Sequence, residues 1–401
     1  MVGERKRLWA LVLAEEAEGN TASALVAMEG YLAIDPESRA GHILYAMLLT
    51  GVRRFDEAEA ALRRHGPPDE AEARITFCRA WAELLTEQGR FDAALRWHES
   101  ALEAGSTDEW TEMAHLHALA RRLGEAESCH REAIRASSDR ARAYEKLGRF
   151  LGMQLRLNEA KEALEAALSL RPNDPDATKA LADVAHAEAL QDEPSALGEA
   201  EEDRLWDASF DADGRGDTVT ALVAVERYVA IEPSLRGQMW RARMLSQVAR
   251  FKEAEATLAG WAPSGDADRD CLLFATWADV REAERRFVEA AEWQRRRTTS
   301  GQADLSTPWI LMGVCYALAG RLTDAEACHR KAATCAGDPD EALLNLGYVL
   351  RAQLRLDEAS AALEAALSLT PDYPEAARVL RDVRRALELR QGMQNVESSF
   401  E

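Results

Sequence analysis

The sequence predicts an all-α chain, a solenoid of helical pairs stacked one on the next. Three observations predict it. The 401 residues are rich in Ala, Leu, Glu and Arg with only 6% aromatics, a composition that loses little rotamer freedom in helices. One block of about 190 residues occurs twice, head to tail. Within each block a small residue recurs at intervals of 32–36 residues, the period of a supersecondary unit that buries its apolar face only against its neighbours.

The duplication is direct. ALVAMEGYLAIDP (Ala24–Pro36) returns as ALVAVERYVAIEP (Ala221–Pro233), and RRFDEAEAAL from Arg53 returns as ARFKEAEATL from Ala249. AESCHREA from Ala126 returns as AEACHRKA from Ala325, and LRLNEAKEALEAALSL from Leu155 as LRLDEASAALEAALSL from Leu354. The shorter period places small residues at Ala24, Ala58, Ala94, Ala126 and Ala160, then at Ala221, Ala254, Ala290, Ala325 and Ala359.

At these positions the chain resembles the tetratricopeptide-repeat family, a 34-residue helix–turn–helix with the pattern W-x2-L-G-x2-Y…A-x3-F…P. Trp309, Met312, Gly313 and Tyr316 precede Ala325 and His329. Leu343, Leu346, Gly347 and Leu350 precede Ala359, Leu363 and Pro371. Tyr144, Leu147, Gly148 and Leu151 precede Ala160, Leu164 and Pro172. Ten units cover residues 5–372. The resemblance implies paired helices in a right-handed superhelix. The glycines at i+4 let the paired helix approach, and Pro36, Pro172, Pro233 and Pro371 follow second helices that they cannot continue. Gly19-Asn20 and Gly216-Asp217 supply tight turns.

The organisation expected is a five-repeat block with a closing helix over 1–191, an acidic linker over 192–203, a second such block over 204–391, and a disordered tail over 392–401. The closing helices run from Pro175 to Gln191 and from Pro374 to Gln391, each with a polar outer side. The opening MVGERKRLWALVLAEEAEG reads as a first repeat helix, because its RLW recurs at Arg204-Leu205-Trp206.

The formal net charge of −21 argues against nucleic acid and against an anionic membrane surface. No run of 18 apolar residues is present. Six cysteines without a C-x-x-C pair suggest neither a disulfide framework nor a zinc site, and a reducing, cytoplasmic setting is expected.

No nucleotide-binding, nucleophile-elbow or metalloprotease motif occurs, so neither an enzyme nor a cofactor is expected. Cys129-His130, echoed by Cys328-His329, with His98 and His117 near, is a conceivable metal cluster. The competing reading packs His98, His130 and His329 between helices at the Phe position, with one nitrogen hydrogen-bonded. Trp81, Trp110, Trp277 and Trp309 are expected in the core, and Trp97 and Trp293 against the neighbouring repeat. Trp9 and Trp206 either lie in the core or point one step around the first helix from Leu8 and Leu205.

In the family, that neighbouring stripe lines a concave groove that receives a partner. Here it carries Trp9, Leu13, Arg142, Arg149, Trp206, Phe210, Arg236, Met239, Arg243, Ile310, Val314, Leu344, Tyr348 and Arg351. Asn345 holds the place where peptide-holding members grip the ligand backbone; Ala10, Leu44, Lys146, Asp207 and Leu311 hold the equivalent places, so a basic clamp is not reproduced. The groove residues differ between blocks: Met47 and Arg79 stand where Arg243 and Ala275 stand in the second. The function expected is a scaffold or adaptor holding another protein or peptide, with no nucleic-acid or membrane partner and with the oligomeric state left open. The rivals are a partner-responsive regulator hinged at the acidic linker and a self-assembling structural protein.

Overall fold

The computed structural model describes residues 2–193 and 199–397. Among them are 22 α-helices. The first block holds α1 (Val2–Ala17), α2 (Thr21–Ile34), α3 (Arg39–Gly51), α4 (Phe55–Arg63), α5 (Ala71–Glu87), α6 (Phe91–Glu103), α7 (Glu109–Leu119), α8 (Leu123–Ala136), α9 (Arg140–Met153), α10 (Leu157–Leu170) and α11 (Pro175–Asp192). The second holds α12 (Glu199–Gly214), α13 (Thr218–Ile231), α14 (Leu235–Gln247), α15 (Phe251–Ala259), α16 (Ala267–Ala283), α17 (Phe287–Arg297), α18 (Ser306–Leu318), α19 (Leu322–Ala332), α20 (Pro339–Ala352), α21 (Leu356–Leu369) and α22 (Pro374–Glu397). A π-helical turn, Thr298–Gln302, follows α17.

One turn recurs ten times between consecutive helices. Its C-terminal residue is left-handed: glycine at 19, 89, 216 and 320, and Arg53, Arg121, Leu155, Ala249, Arg285 and Leu354 at the others. The next amide reaches back five residues, as in Asn20 N–H to the Glu15 carbonyl and Arg355 N–H to the Leu350 carbonyl. This bond satisfies a carbonyl that the helix end would leave bare. In several turns the arginine that follows then clasps the carboxylate three residues on, as in Arg54–Glu57 and Arg250–Glu253, both at 2.6 Å.

The period-setting alanines, Ala24 to Ala359, are all fully buried. Gly148 and Gly347 face Leu164 and Leu363 so closely that a Cβ would lie 2.6–2.7 Å from those side chains. A methyl group there would push the paired helices apart.

The chain packs as two compact units, 1–90 with 287–401, and 91–286. The expected boundary at 192–203 does not separate them. Within the second unit α11 packs on α10 and on α13. Val184, Ala187 and Leu190 share one core with Leu164, Val219 and Val223. The apolar face of α11 is met by the next block's first repeat, so the blocks run on without a break in packing. Residues 199–203 of the expected linker are helical, with Glu201 buried between Arg204 and Arg227; 194–198 lie outside the described residues.

Within the first unit α22 packs on α21 and on α2. Val379, Val383 and Ala386 join Leu363, Ala22 and Val26 in one core. These contacts repeat those of α11 at equivalent positions. Neither closing helix therefore has a polar outer side all round. The expected tail is also corrected: α22 continues to Glu397, and the Met393 sulfur sits against Gly30, 2.5 Å from where a Cβ would stand. Residues 398–401 lie outside the described residues.

Candidate interaction site

In the second unit, helices α12 to α14 bring four aromatic rings and two arginines together. Leu205 is buried, which turns Trp206 one step round α12, where it is half-buried beside Phe210. The Trp206 ring lies 4.9 Å from Phe210 and 5.0 Å from Tyr228 of α13. Phe210 stacks on Trp240 of α14 at 4.0 Å with the planes 11° apart. The Trp240 indole N–H donates to the Ser209 hydroxyl at 2.7 Å, which fixes that ring.

Arginines bracket the rings. The Arg236 guanidinium lies 4.4 Å over Trp206 and that of Arg243 5.5 Å over Trp240, placements a ring quadrupole favours. Both arginines are exposed, and Phe210 keeps 40% of its surface open. The order through the stack is Arg236, Trp206, Phe210, Trp240, Arg243, with Trp240 itself buried.

Four of these residues lie on the stripe expected from the sequence. Trp240 and Tyr228 were not expected. The stripe assigned to α14 included Met239, which is buried in the core. Positions 236, 240 and 243 fall at i, i+4 and i+7, and that spacing is the signal that would have selected Trp240. The first block repeats only the start of the arrangement. Trp9 stands 5.1 Å from Tyr31 and Leu13 is exposed, but Ala40, Leu44 and Met47 replace Arg236, Trp240 and Arg243.

The remaining stripe residues are not brought to one place. Arg142 and Arg149 are exposed on α9, Arg149 beside Glu145. Ile310 and Leu344 are core residues. Asn345 donates to the Glu341 carbonyl of its own helix at 3.0 Å. The Tyr348 hydroxyl donates to Glu375 at 2.6 Å, and Arg351 pairs with Asp382 at 3.0 Å. Both partners belong to α22. Burial pushes the Arg351 guanidinium below its ordinary value against the pull of Asp382, and burial together with Glu375 raises the Tyr348 phenol. Tyr348 and Arg351 also line a cavity of about 380 Å³ in the first unit, with Glu83, Met47 and Val349; burial raises Glu83.

The histidines at the Phe position pack between helices. His130 lies 5.1 Å from Phe150, and His329 covers Gly313. Their Nδ1 atoms have no hydrogen-bond partner among the described residues. Burial pushes both rings down to about 4. His98 differs: its Nδ1 lies 2.6 Å from the buried Glu109 carboxylate. Among the described residues no group of three His, Cys, Asp or Glu is arranged to hold a metal, and Cys129, Cys328 and Cys335 are free thiols.

Comparison with known families now bears on this geometry. The tetratricopeptide-repeat profile matches residues 139–174 and 340–373, the α9/α10 and α20/α21 pairs. The chain carries tetratricopeptide repeats at these two sites. A tetratricopeptide-repeat protein of Parabacteroides merdae is 15% identical over 69% of this chain and 98% of its own, with a TM-score of 0.33. Yeast Tom70 is 13% identical over 97% and 89%, with a TM-score of 0.37. The Cut9–Hcn1 complex of the APC/C gives 13%, 95%, 90% and 0.34. Likeness at this level is one of fold alone. No curated protein matches the chain. Tetratricopeptide-repeat folds serve in general as protein-interaction scaffolds and are generally not enzymes. Among the described residues no helix is long and apolar enough to cross a membrane.

Proposed function

We propose that this chain is a non-enzymatic scaffold that holds a partner polypeptide on the α12–α14 stack of its second block. The observation that carries the reading is Phe210. It is an aromatic side chain stacked into a rigid array yet 40% open. Rigid aromatics beside arginine are the side chains that contribute most at protein interfaces. The first block lacks the array, so the duplicated scaffold offers two unlike surfaces. The regulator reading drew on a hinge at the linker, and the continuous α11–α13 core gives that hinge no support.

The test places a photo-crosslinking residue at Phe210 and, as control, at Leu13. A partner joined at 210 and lost in Arg236→Glu plus Arg243→Glu supports the reading. The same products from both positions, unchanged by the charge reversal, would overturn it.

A further inference from the structure

The dimensions of the stack select a class of ligand. Resting on the reading that it is a docking surface, we propose that it receives a short left-handed extended segment with two carboxylates three residues apart and proline or another apolar residue between them.

The charge argument is local. Neighbouring arginines are already occupied: Arg227 holds Glu201, Arg241 holds Glu226 at 2.9 Å, and Arg250 holds Glu253 at 2.6 Å. Arg236 and Arg243 have no ion-pair partner among the described residues, and their guanidinium carbons lie 4.4 Å and 5.5 Å from the centres of the Trp206 and Trp240 rings. A guanidinium attracted to a ring face still has N–H groups to donate, and their fork matches a carboxylate. Two exposed cations left open in a chain of net charge −21 call for carboxylates from outside.

The spacing argument follows from helix geometry. Arg236 and Arg243 are seven residues apart on α14, about 10 Å along its axis. In a polyproline-type segment, residues i and i+3 share one face about 9 Å apart. A β-strand sends i and i+3 to opposite faces. The two residues between the carboxylates then lie over Trp206 and Phe210, whose exposed edges form the floor while the buried Trp240 backs Phe210, and pyrrolidine rings pack well on such aromatic floors.

The ligand is a short peptide rather than a nucleic acid. Asp207 and Asp211 are exposed one step round α12, so a polyanion running past the stack meets like charge at once, and the net charge of the whole chain opposes it.

The experiment uses the full chain and capped, fluorophore-labelled nonapeptides read by anisotropy. One carries Glu-Pro-Pro-Glu, one Lys-Pro-Pro-Lys, and one Pro-Glu-Glu-Pro between the same Gly/Ser flanks. Expected is binding of the first that weakens with salt, with the lysine peptide at least about tenfold weaker and the adjacent-glutamate peptide about threefold weaker. The exposed-site variant Arg236→Glu plus Arg243→Glu, shown to be folded by its melting curve, reverses the preference to lysine. Equal binding of the three peptides, no binding of any, or tighter binding of a single-stranded oligonucleotide would overturn the proposal. If crosslinking at Phe210 persists while the glutamate peptide fails, the docking surface stands and this ligand class is excluded.

Discussion

Asp382 of α22 caps α2 from 359 residues away, its carboxylate accepting the Ser23 amide at 3.1 Å and the Ser23 hydroxyl at 2.9 Å. It also accepts the Ala22 amide at 3.0 Å and holds Arg351. Asn20, the residue just before α2, makes no side-chain cap. In the second block Asp217 stands there and caps its own helix by accepting the Thr220 amide at 3.0 Å. One duplicated helix thus carries its own cap, and the other receives it from the end of the chain.

Asp382→Ala leaves two amides and a guanidinium without their acceptor at a site where the aspartate is 1% exposed. The expected loss in urea unfolding is about 3 kcal/mol, from a broken buried ion pair and a lost cap. Asn20→Asp in that background restores about 1 kcal/mol. A loss below about 1 kcal/mol for the alanine variant would show that the cap contributes little.

His130 and His329 give a dependence on pH. Burial holds both down at about 4 in the folded chain, against about 6.5 unfolded. The folded state keeps them neutral while the unfolded state binds protons below 6.5. Their contribution is full above pH 6.5 and is lost as the pH falls to about 4, by up to about 3 kcal/mol for each. His329→Phe should flatten the melting temperature over this window. Burial lowers His115 and His117 as well, so part of the slope remains. An unaltered slope in His329→Phe would count against a neutral buried ring.

Glu255 acts in a more acidic window. Although burial raises it, hydrogen bonds from Arg121 and Arg281 hold it down at about 2. Its stabilisation is present above about pH 4.3 and is lost as pH falls toward 2. Glu255→Gln should cost about 2 kcal/mol at pH 7, allowing for partial exposure. The difference from wild type should shrink toward pH 2; a gap that stays constant with pH would refute the assignment.

Gly320 is required twice over. Its φ is +75°, and a Cβ would lie 2.7 Å from the Phe55 ring and 2.9 Å from the Arg53 carbonyl oxygen. Gly320→Ala should cost about 2 kcal/mol or more in thermal unfolding. Gly124→Ala, with open space around it, should change stability little. Equal effects would show that the Phe55 approach can relax.

Much of the fold is legible along the chain because its causes are local. The recurring alanines mark where two helices touch, and Gly148 and Gly347 mark the closest approaches. Trp206, Phe210, Arg236 and Arg243 were legible as members of one stripe. Trp240 was not, because one residue of register error on α14 exchanged it for Met239; both are buried, and only the tertiary packing shows that Trp240 is the one stacked on Phe210.

The sequence by itself determined the helices, their turns and the duplication, since an apolar stripe or a left-handed turn depends on residues three to five apart. Tertiary structure decided what each stripe meets. That α22 closes on α2 and that Asn20 does without a cap depend on groups some 360 residues apart, and that Tyr348 and Arg351 are held by α22 depends on groups 27 and 31 residues apart. Periodicity states that a face is apolar. The partner that covers it is set by packing between elements far apart in the chain, as α22 on α2, which no single repeat encodes.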